Sequence, residues 1–117
     1  MVKPASERDA ALLLDMLIAA RDATGFLVGV DETTFMDSRL HQNAVIRSLE
    51  VIGEAAGKVS EGFRFAHSEI AWREITGMRH RLIHGYADVR LDVVWEVVQD
   101  QLPALVTALE PLLRDQV

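Results

Sequence analysis

The chain has 117 residues, of which half are apolar and 26% are charged. This size and composition predict one globular domain, residues 1–117, with enough apolar surface for a core. The absence of cysteine excludes disulfides, thiolate zinc sites and cysteine nucleophiles. The net charge of −6 argues against a protein that coats nucleic acid, but it is compatible with a local basic site.

The first predicted helix covers residues 6–24. Ser6 is a suitable N-cap, acidic residues follow it in the first turn, and a glycine ends the helix. We expect a loop over residues 25–32, and then a short helical turn capped by Thr33 or Thr34. The apolar face of this first helix is predicted to consist of Leu13, Leu14, Leu17 and Ile18.

The second predicted helix covers residues 38–59. Its apolar residues recur at steps of four and three, which is typical of a buried stripe. Glu50 and Glu54 lie on a separate polar face of the same helix. Residues 60–67 are expected to form a loop.

The third predicted helix covers residues 71–84, and a fourth begins near Arg90. The apolar stripe of the fourth contains Pro103, which predicts a kink or break near Asp100. Four main helices with short connections favour an all-α, up-and-down four-helix bundle with short extra helical turns. No apolar run is long enough to span a bilayer and the N-terminus lacks a signal peptide, so we expect a cytoplasmic protein without a membrane partner.

The third helix is the one place where the sequence is specialised. At 100° per residue, Arg79 falls within an arc of apolar side chains that includes Ile75 and Met78. A buried unpaired guanidinium is too costly to persist, so Arg79 requires a carboxylate, a subunit interface or a cleft for an anionic ligand. On the flank of the helix, a narrow strip contains three further basic side chains: Arg73, His80 and His84.

Three interpretations of this cluster are open from the residues alone. In the first, Arg79 pairs with a glutamate of the second helix and the histidines are solvated. In the second, His80 and His84 hold a metal at a spacing of four, although no cysteine or zinc-protease glutamate accompanies them. In the third, histidine supplies acid-base chemistry and arginine stabilises a phosphoryl group.

The third interpretation requires Arg79 and His84 to converge, although they lie about 140° apart on an ideal helix. Convergence follows if the helix frays at Gly85 or if a second copy of the helix joins the site, as in a homodimer. Tyr86 is the only tyrosine. Its hydroxyl is expected beside His84, so a modification there would block the site.

The segment from Arg79 to Tyr86 resembles the Arg-x4-His-x-Tyr motif of HepT-like ribonuclease toxins, a branch of the HEPN superfamily. The similarity extends over almost the whole chain, through segments 37–47, 52–56, 72–79 and 95–98. The resemblance implies a metal-independent endoribonuclease without a cofactor. It also implies a homodimer in which the motifs of both subunits share one cleft.

The resemblance assigns Arg79 and His84 as the catalytic pair. His84 would act as acid or base when a ribose 2′-hydroxyl attacks the neighbouring phosphate, and Arg79 would stabilise the phosphorane. His80 would support them, at a position where close relatives usually have asparagine. Glu50 and Glu54 are candidates to orient Arg79, and the basic residues Arg73 and Arg81 are candidates to bind RNA.

The resemblance further implies a partner, a minimal nucleotidyltransferase antitoxin (MntA-like) that attaches AMP to Tyr86 in a type VII-like toxin–antitoxin system. The alternative is a non-catalytic helical adaptor that binds this nucleotidyltransferase or a nucleotide. The acidic net charge favours the adaptor, because an acidic ribonuclease would have to hold RNA by the dimer cleft alone.

Overall fold

The computed structural model describes residues 5–82 and 89–114, apart from the side chain of Arg79. The described residues form seven α-helices and one π-helical turn. The α-helices are α1 (Glu7–Phe26), α2 (Glu32–Asp37), α3 (Arg39–Lys58), α4 (Glu61–Ala66), α5 (Trp72–Leu82), α6 (Leu91–Glu96) and α7 (Leu102–Arg114), and the π-turn (Val97–Gln101) joins α6 to α7. The prediction of an all-α bundle is confirmed: α1, α3, α5 and the continuous α6–α7 segment are its main helices, and α2 and α4 are short extra turns.

The helix caps confirm one prediction and correct another. The Ser6 hydroxyl accepts a hydrogen bond from the backbone N–H of Asp9 at 3.1 Å, as expected of an N-cap. The short helix α2, however, is capped by Asp31 and not by a threonine. The Asp31 carboxylate accepts from the N–H of Thr34 at 2.8 Å, and this hydrogen bond holds the pKa of Asp31 below its ordinary value.

The prediction of a loop over residues 60–67 is wrong, because most of these residues form α4. Ser60 caps this helix by accepting from the N–H of Phe63 at 3.3 Å. The buried carboxylate of Asp9 in turn accepts from the Ser60 backbone N–H at 2.8 Å and from the Ser60 hydroxyl at 2.5 Å. This contact fixes the start of α4 against the start of α1, and it joins residues too far apart in sequence to be predicted.

The irregularity predicted near Asp100 is present, but it is a π-turn and not a break. The backbone N–H of Leu102 donates to the carbonyl of Val97, five residues earlier. Pro103 follows directly, at the second residue of α7. Proline has no N–H and crowds the preceding turn, so a wider turn before it accommodates the ring while the chain stays helical.

Helix α5 runs antiparallel to α3. Its first residue, Trp72, donates its indole N–H to the carbonyl of His67 at 2.9 Å, next to α4 and hence near the end of α3. Its last residue, Leu82, accepts from the N–H of Arg90 at 3.0 Å. Helix α6 follows, and its Trp95 packs against Phe35 of α2, near the start of α3, with ring centroids 5.6 Å apart.

Helices α3 and α5 approach each other closely at a glycine. A Cβ atom on Gly53 would lie 3.3 Å from the carbonyl oxygen of Ile75, so only glycine fits there without displacing the α5 backbone. This contact fixes the position of α5 along α3. None of the helices formed by residues 5–82 and 89–114 has the length and apolar character needed to cross a membrane.

Candidate active site on α5

Helix α5 has one buried face and one basic face. Trp72, Met78 and Leu82 are buried, which confirms the predicted apolar arc. Arg73 and His80 are exposed, and they lie seven residues apart, which places them on the same side of the helix two turns from each other. The described part of α5 therefore presents a basic strip to solvent.

Arg81 lies on another side of α5. Its side chain is exposed, and its guanidinium donates to the backbone carbonyl of Glu74 at 3.0 Å. Arg81 also lines a cavity of about 140 Å³ between α5 and α7, together with Ile75, Met78 and Leu105. No sequence signal indicated this cavity, since its walls come from helices that are distant in the chain.

Arg79 belongs to α5, one turn after Ile75, but its side chain lies outside the described part of the structure. His84 and Tyr86 are also outside the described residues. The structure does describe the two points where their segment joins the bundle. These are Leu82 and Val89, and Arg90, which follows Val89, donates its backbone N–H to the carbonyl of Leu82 at 3.0 Å.

The two glutamates proposed to orient Arg79 differ in their surroundings. Glu54 has 63% of its side chain exposed and pairs with Lys58 on its own helix at 3.3 Å. Glu50 is 31% exposed, and its nearest described cation, Arg47, is 3.9 Å away. Glu50 is thus the more buried and the more weakly paired of the two carboxylates.

The register of α3 and α5 also separates these two glutamates. Gly53 lies opposite Ile75, and the helices are antiparallel. One turn earlier on α3 therefore corresponds to one turn later on α5. This places the backbone of Glu50 level with that of Arg79, whereas Glu54 is level with Ile75.

Within residues 5–82 and 89–114, no group of three or more histidine, cysteine, aspartate or glutamate side chains has the arrangement to hold a metal ion. His67 approaches Glu69 at 3.3 Å, as a single pair near the surface. The alternative in which His80 and His84 bind a metal includes His84, which lies outside the described residues.

The fold and the basic strip on α5 define a helical-bundle protein whose third main helix presents basic side chains. Residues 16–112 match the family described as ribonuclease HepT-like. The chain belongs to this family.

Several relatives support the assignment. The “Putative RNase MJ1380” of Methanocaldococcus jannaschii is 35% identical over 86% of this chain and 93% of its own length. The “Probable ribonuclease HepT” of Thermococcus cleftensis is 42% identical over 67% of this chain and 71% of its own. The “Putative RNase TTE0752” of Caldanaerobacter subterraneus subsp. tengcongensis is 35% identical over 75% of this chain and 79% of its own. No solved structure matches the chain significantly.

Proposed function

We propose that this protein is the toxin of a type VII-like toxin–antitoxin system and that it cleaves RNA without a metal ion. The observation that carries the proposal is the position of the Arg-x4-His-x-Tyr motif. It begins on α5, a helix that already presents Arg73 and His80 to solvent, in a chain of the HepT-like ribonuclease family. Exposed basic side chains beside a reactive segment are suited to binding the phosphates of RNA.

The chemistry assigned to this site is transesterification. The ribose 2′-oxygen attacks the adjacent phosphorus while the bond from phosphorus to the 5′-oxygen of the next nucleotide breaks. His84 accepts the 2′-hydroxyl proton or protonates the leaving 5′-oxygen, and Arg79 stabilises the negative charge of the phosphorane. The products are a 2′,3′-cyclic phosphate and a 5′-hydroxyl, so neither an oxidant nor a water molecule is consumed in this step.

The supporting residues have distinct proposed roles. Arg73 and Arg81 contact RNA phosphates, and His80 supports the catalytic pair from the exposed strip. Glu50 orients Arg79, since its backbone is level with that of Arg79 and its pairing with Arg47 is long. Glu54 has a weaker case, because it is more exposed and has a closer cation in Lys58. The motifs of two copies form one composite cleft in a homodimer.

The metal-free mechanism predicts a specific product. Purified protein incubated with RNA in excess EDTA is expected to cleave it and to leave 2′,3′-cyclic phosphate ends, because the 2′-hydroxyl is the nucleophile. Mass spectrometry of the fragments identifies these ends. Cleavage only after Mg²⁺ is added, or fragments with 3′-hydroxyl ends, would contradict the mechanism.

The competing function is the non-catalytic adaptor, which the net charge of −6 favours. An adaptor would leave RNA intact in the same assay while still binding the nucleotidyltransferase. Expression in a bacterial host separates the two functions further, because a toxin arrests growth in the absence of its partner and an adaptor does not.

The proposed regulation is the transfer of AMP to the Tyr86 hydroxyl by the nucleotidyltransferase partner. The tyrosine oxygen attacks the α-phosphorus of ATP and pyrophosphate leaves, so the proton of the hydroxyl is released. After co-expression with the partner, intact-mass measurement is expected to show one or more added AMP groups. Tyr86→Phe is expected to carry none and to keep its ribonuclease activity; an unchanged adduct on this variant would exclude Tyr86 as the acceptor.

A further inference from the structure

Helix α1 is apolar on two sides. Leu13, Met16 and Leu17 are buried in the core, which accounts for one side. On the other side, Leu14, Ile18 and Phe26 remain 46%, 48% and 42% exposed. The predicted single face with Leu14 and Ile18 in the core is therefore wrong. Leu14 and Ile18 are one helical turn apart, so they form an exposed apolar patch beside charged residues of the same helix, and patches of this kind mark interaction sites.

The exposed side of α1 lies between two grooves. The groove between α1 and α3 has a volume of about 370 Å³, and its apolar walls include Ile18, Phe26 and Val51. The groove between α1 and α7 has a volume of about 610 Å³, with Leu14 and Leu113 in its walls. Helix α1 is thus a ridge with a groove on each side. A ridge on one molecule can pack into such a groove on another.

The charges around the first groove are of both signs. Asp15 and Asp22 are exposed on the α1 side, and Arg47 is exposed on the α3 side. In a contact between two copies related by a twofold axis, a residue of one copy that meets a second residue of the other copy has the reverse contact by symmetry. A surface that contains both acids and a cation can therefore complement itself, whereas a uniformly acidic surface would repel a second copy.

We propose that a second copy of this chain docks on the outer side of α1, with the α1 ridge of each copy seated against the α1–α3 groove of the other. Leu14 and Ile18 form the apolar centre of the interface. Arg47 of one copy faces an acidic residue of the other, Asp15 or Asp22. The occupant is a second copy because this one surface supplies a ridge, a groove and charges of both signs.

This interface is separate from the motif. On α3, Gly53 faces α5 while Val51 lines the groove beside α1, and residues two apart lie about 160° from each other on a helix. The α1 interface and α5 are thus on nearly opposite sides of α3. Together with the composite dimer of the proposed function, a twofold contact at α1 gives a closed tetramer, a common assembly for proteins with two self-complementary surfaces.

Ile18→Glu tests the interface, since it places a charge at its apolar centre while Ile18 is half exposed and not required by the core. The dissociation constant of the tetramer is expected to rise at least about 30-fold, which is the loss of affinity typical of changing a central interface residue. Light scattering after size exclusion, over a range of concentrations, measures the mass. The matched control is Phe65→Glu on α4, where the side chain is 88% exposed and lines neither groove beside α1, and its assembly is expected to equal that of the wild type. Equal masses for wild type and Ile18→Glu would overturn the proposal.

A charge exchange provides a second test. Arg47→Asp is expected to weaken the assembly, because acidic residues then face acidic residues. Adding Asp15→Arg and Asp22→Arg to the same chain is expected to restore it, since opposite charges again meet across the twofold axis. A loss of assembly in Arg47→Asp that the added arginines leave unchanged would count against the proposed pairing.

The tests of the α1 interface and the tests of the proposed function can succeed or fail separately. Ile18→Glu is expected to keep RNA cleavage as a dimer, because α5 and its motif are not part of the α1 interface. If Ile18→Glu instead produces a monomer, the α1 interface stands and the composite cleft of the proposed function is contradicted. If RNA is never cleaved but the assembly depends on Ile18, the proposed function fails and the interface stands.

Discussion

His84→Ala is expected to slow RNA cleavage by about 10²–10⁴-fold, the contribution typical of a positioned acid or base. The loss follows because His84 is the group assigned to exchange a proton with the 2′-oxygen or the 5′-oxygen near neutral pH. Melting curves of the variant and the wild type check that a loss of cleavage is not a loss of folding. Single-turnover cleavage of a labelled RNA, with protein in excess, measures the rate.

The matched control for this substitution is His41→Ala. His41 lies in the first turn of α3, where its ring nitrogen is 2.6 Å from the Ser38 hydroxyl, and it has no part in the proposed chemistry. Its cleavage rate is expected to be close to that of the wild type. If His84→Ala cleaves RNA as fast as His41→Ala does, His84 is not the acid or base, and another group must exchange the proton.

Phe35→Ala is expected to lower the free energy of unfolding by about 3–5 kcal/mol, the range for truncating a buried aromatic side chain. Phe35 is fully buried, and its ring packs against Trp95 of α6, so the substitution leaves a cavity where α2 meets α6. Urea denaturation followed by circular dichroism measures the change.

Phe65→Ala is the control for Phe35→Ala, because it removes the same atoms from a side chain that is 88% exposed. Its free energy of unfolding is expected to stay within about 0.5 kcal/mol of the wild type. Equal losses for the two substitutions would mean that Phe35 is not packed as the structure describes.

The main helices were predictable because their apolar residues recur at helical spacing. The short helix α4 was not, because Ser60 is held by the carboxylate of Asp9, and a contact between residues this far apart leaves no local pattern. The cap of α2 was misassigned for a different reason. Aspartate and threonine both cap helices, and Asp31 lies close enough to the predicted threonines for either choice to fit the sequence.

The candidate site was predictable in part. The helical period alone placed Met78 and Leu82 in the core and left Arg73 and His80 exposed. The proposal that Glu50 and not Glu54 orients Arg79 uses the register of α3 against α5, which depends on the contact between Gly53 and Ile75 and could not be predicted from the sequence.

The outer side of α1 was not distinguished from its inner side. Leu13 and Leu14 are adjacent and equally apolar, and only the positions of α3 and α7 determine that Leu13 is buried and Leu14 is exposed. Composition and periodicity therefore identified an apolar helix without showing which of its residues face the core.

The π-turn accounts for a spacing in the sequence that a uniform helix would not tolerate well. Val94, Val98 and Leu102 are separated by two successive intervals of four, which on a regular α-helix would turn the third side chain about 80° away from the first. All three are buried, because the wider turn between Val97 and Leu102 unwinds the chain and cancels much of that rotation. Two consecutive four-residue intervals before a proline thus mark, in the sequence, the place where the last long helix changes its winding.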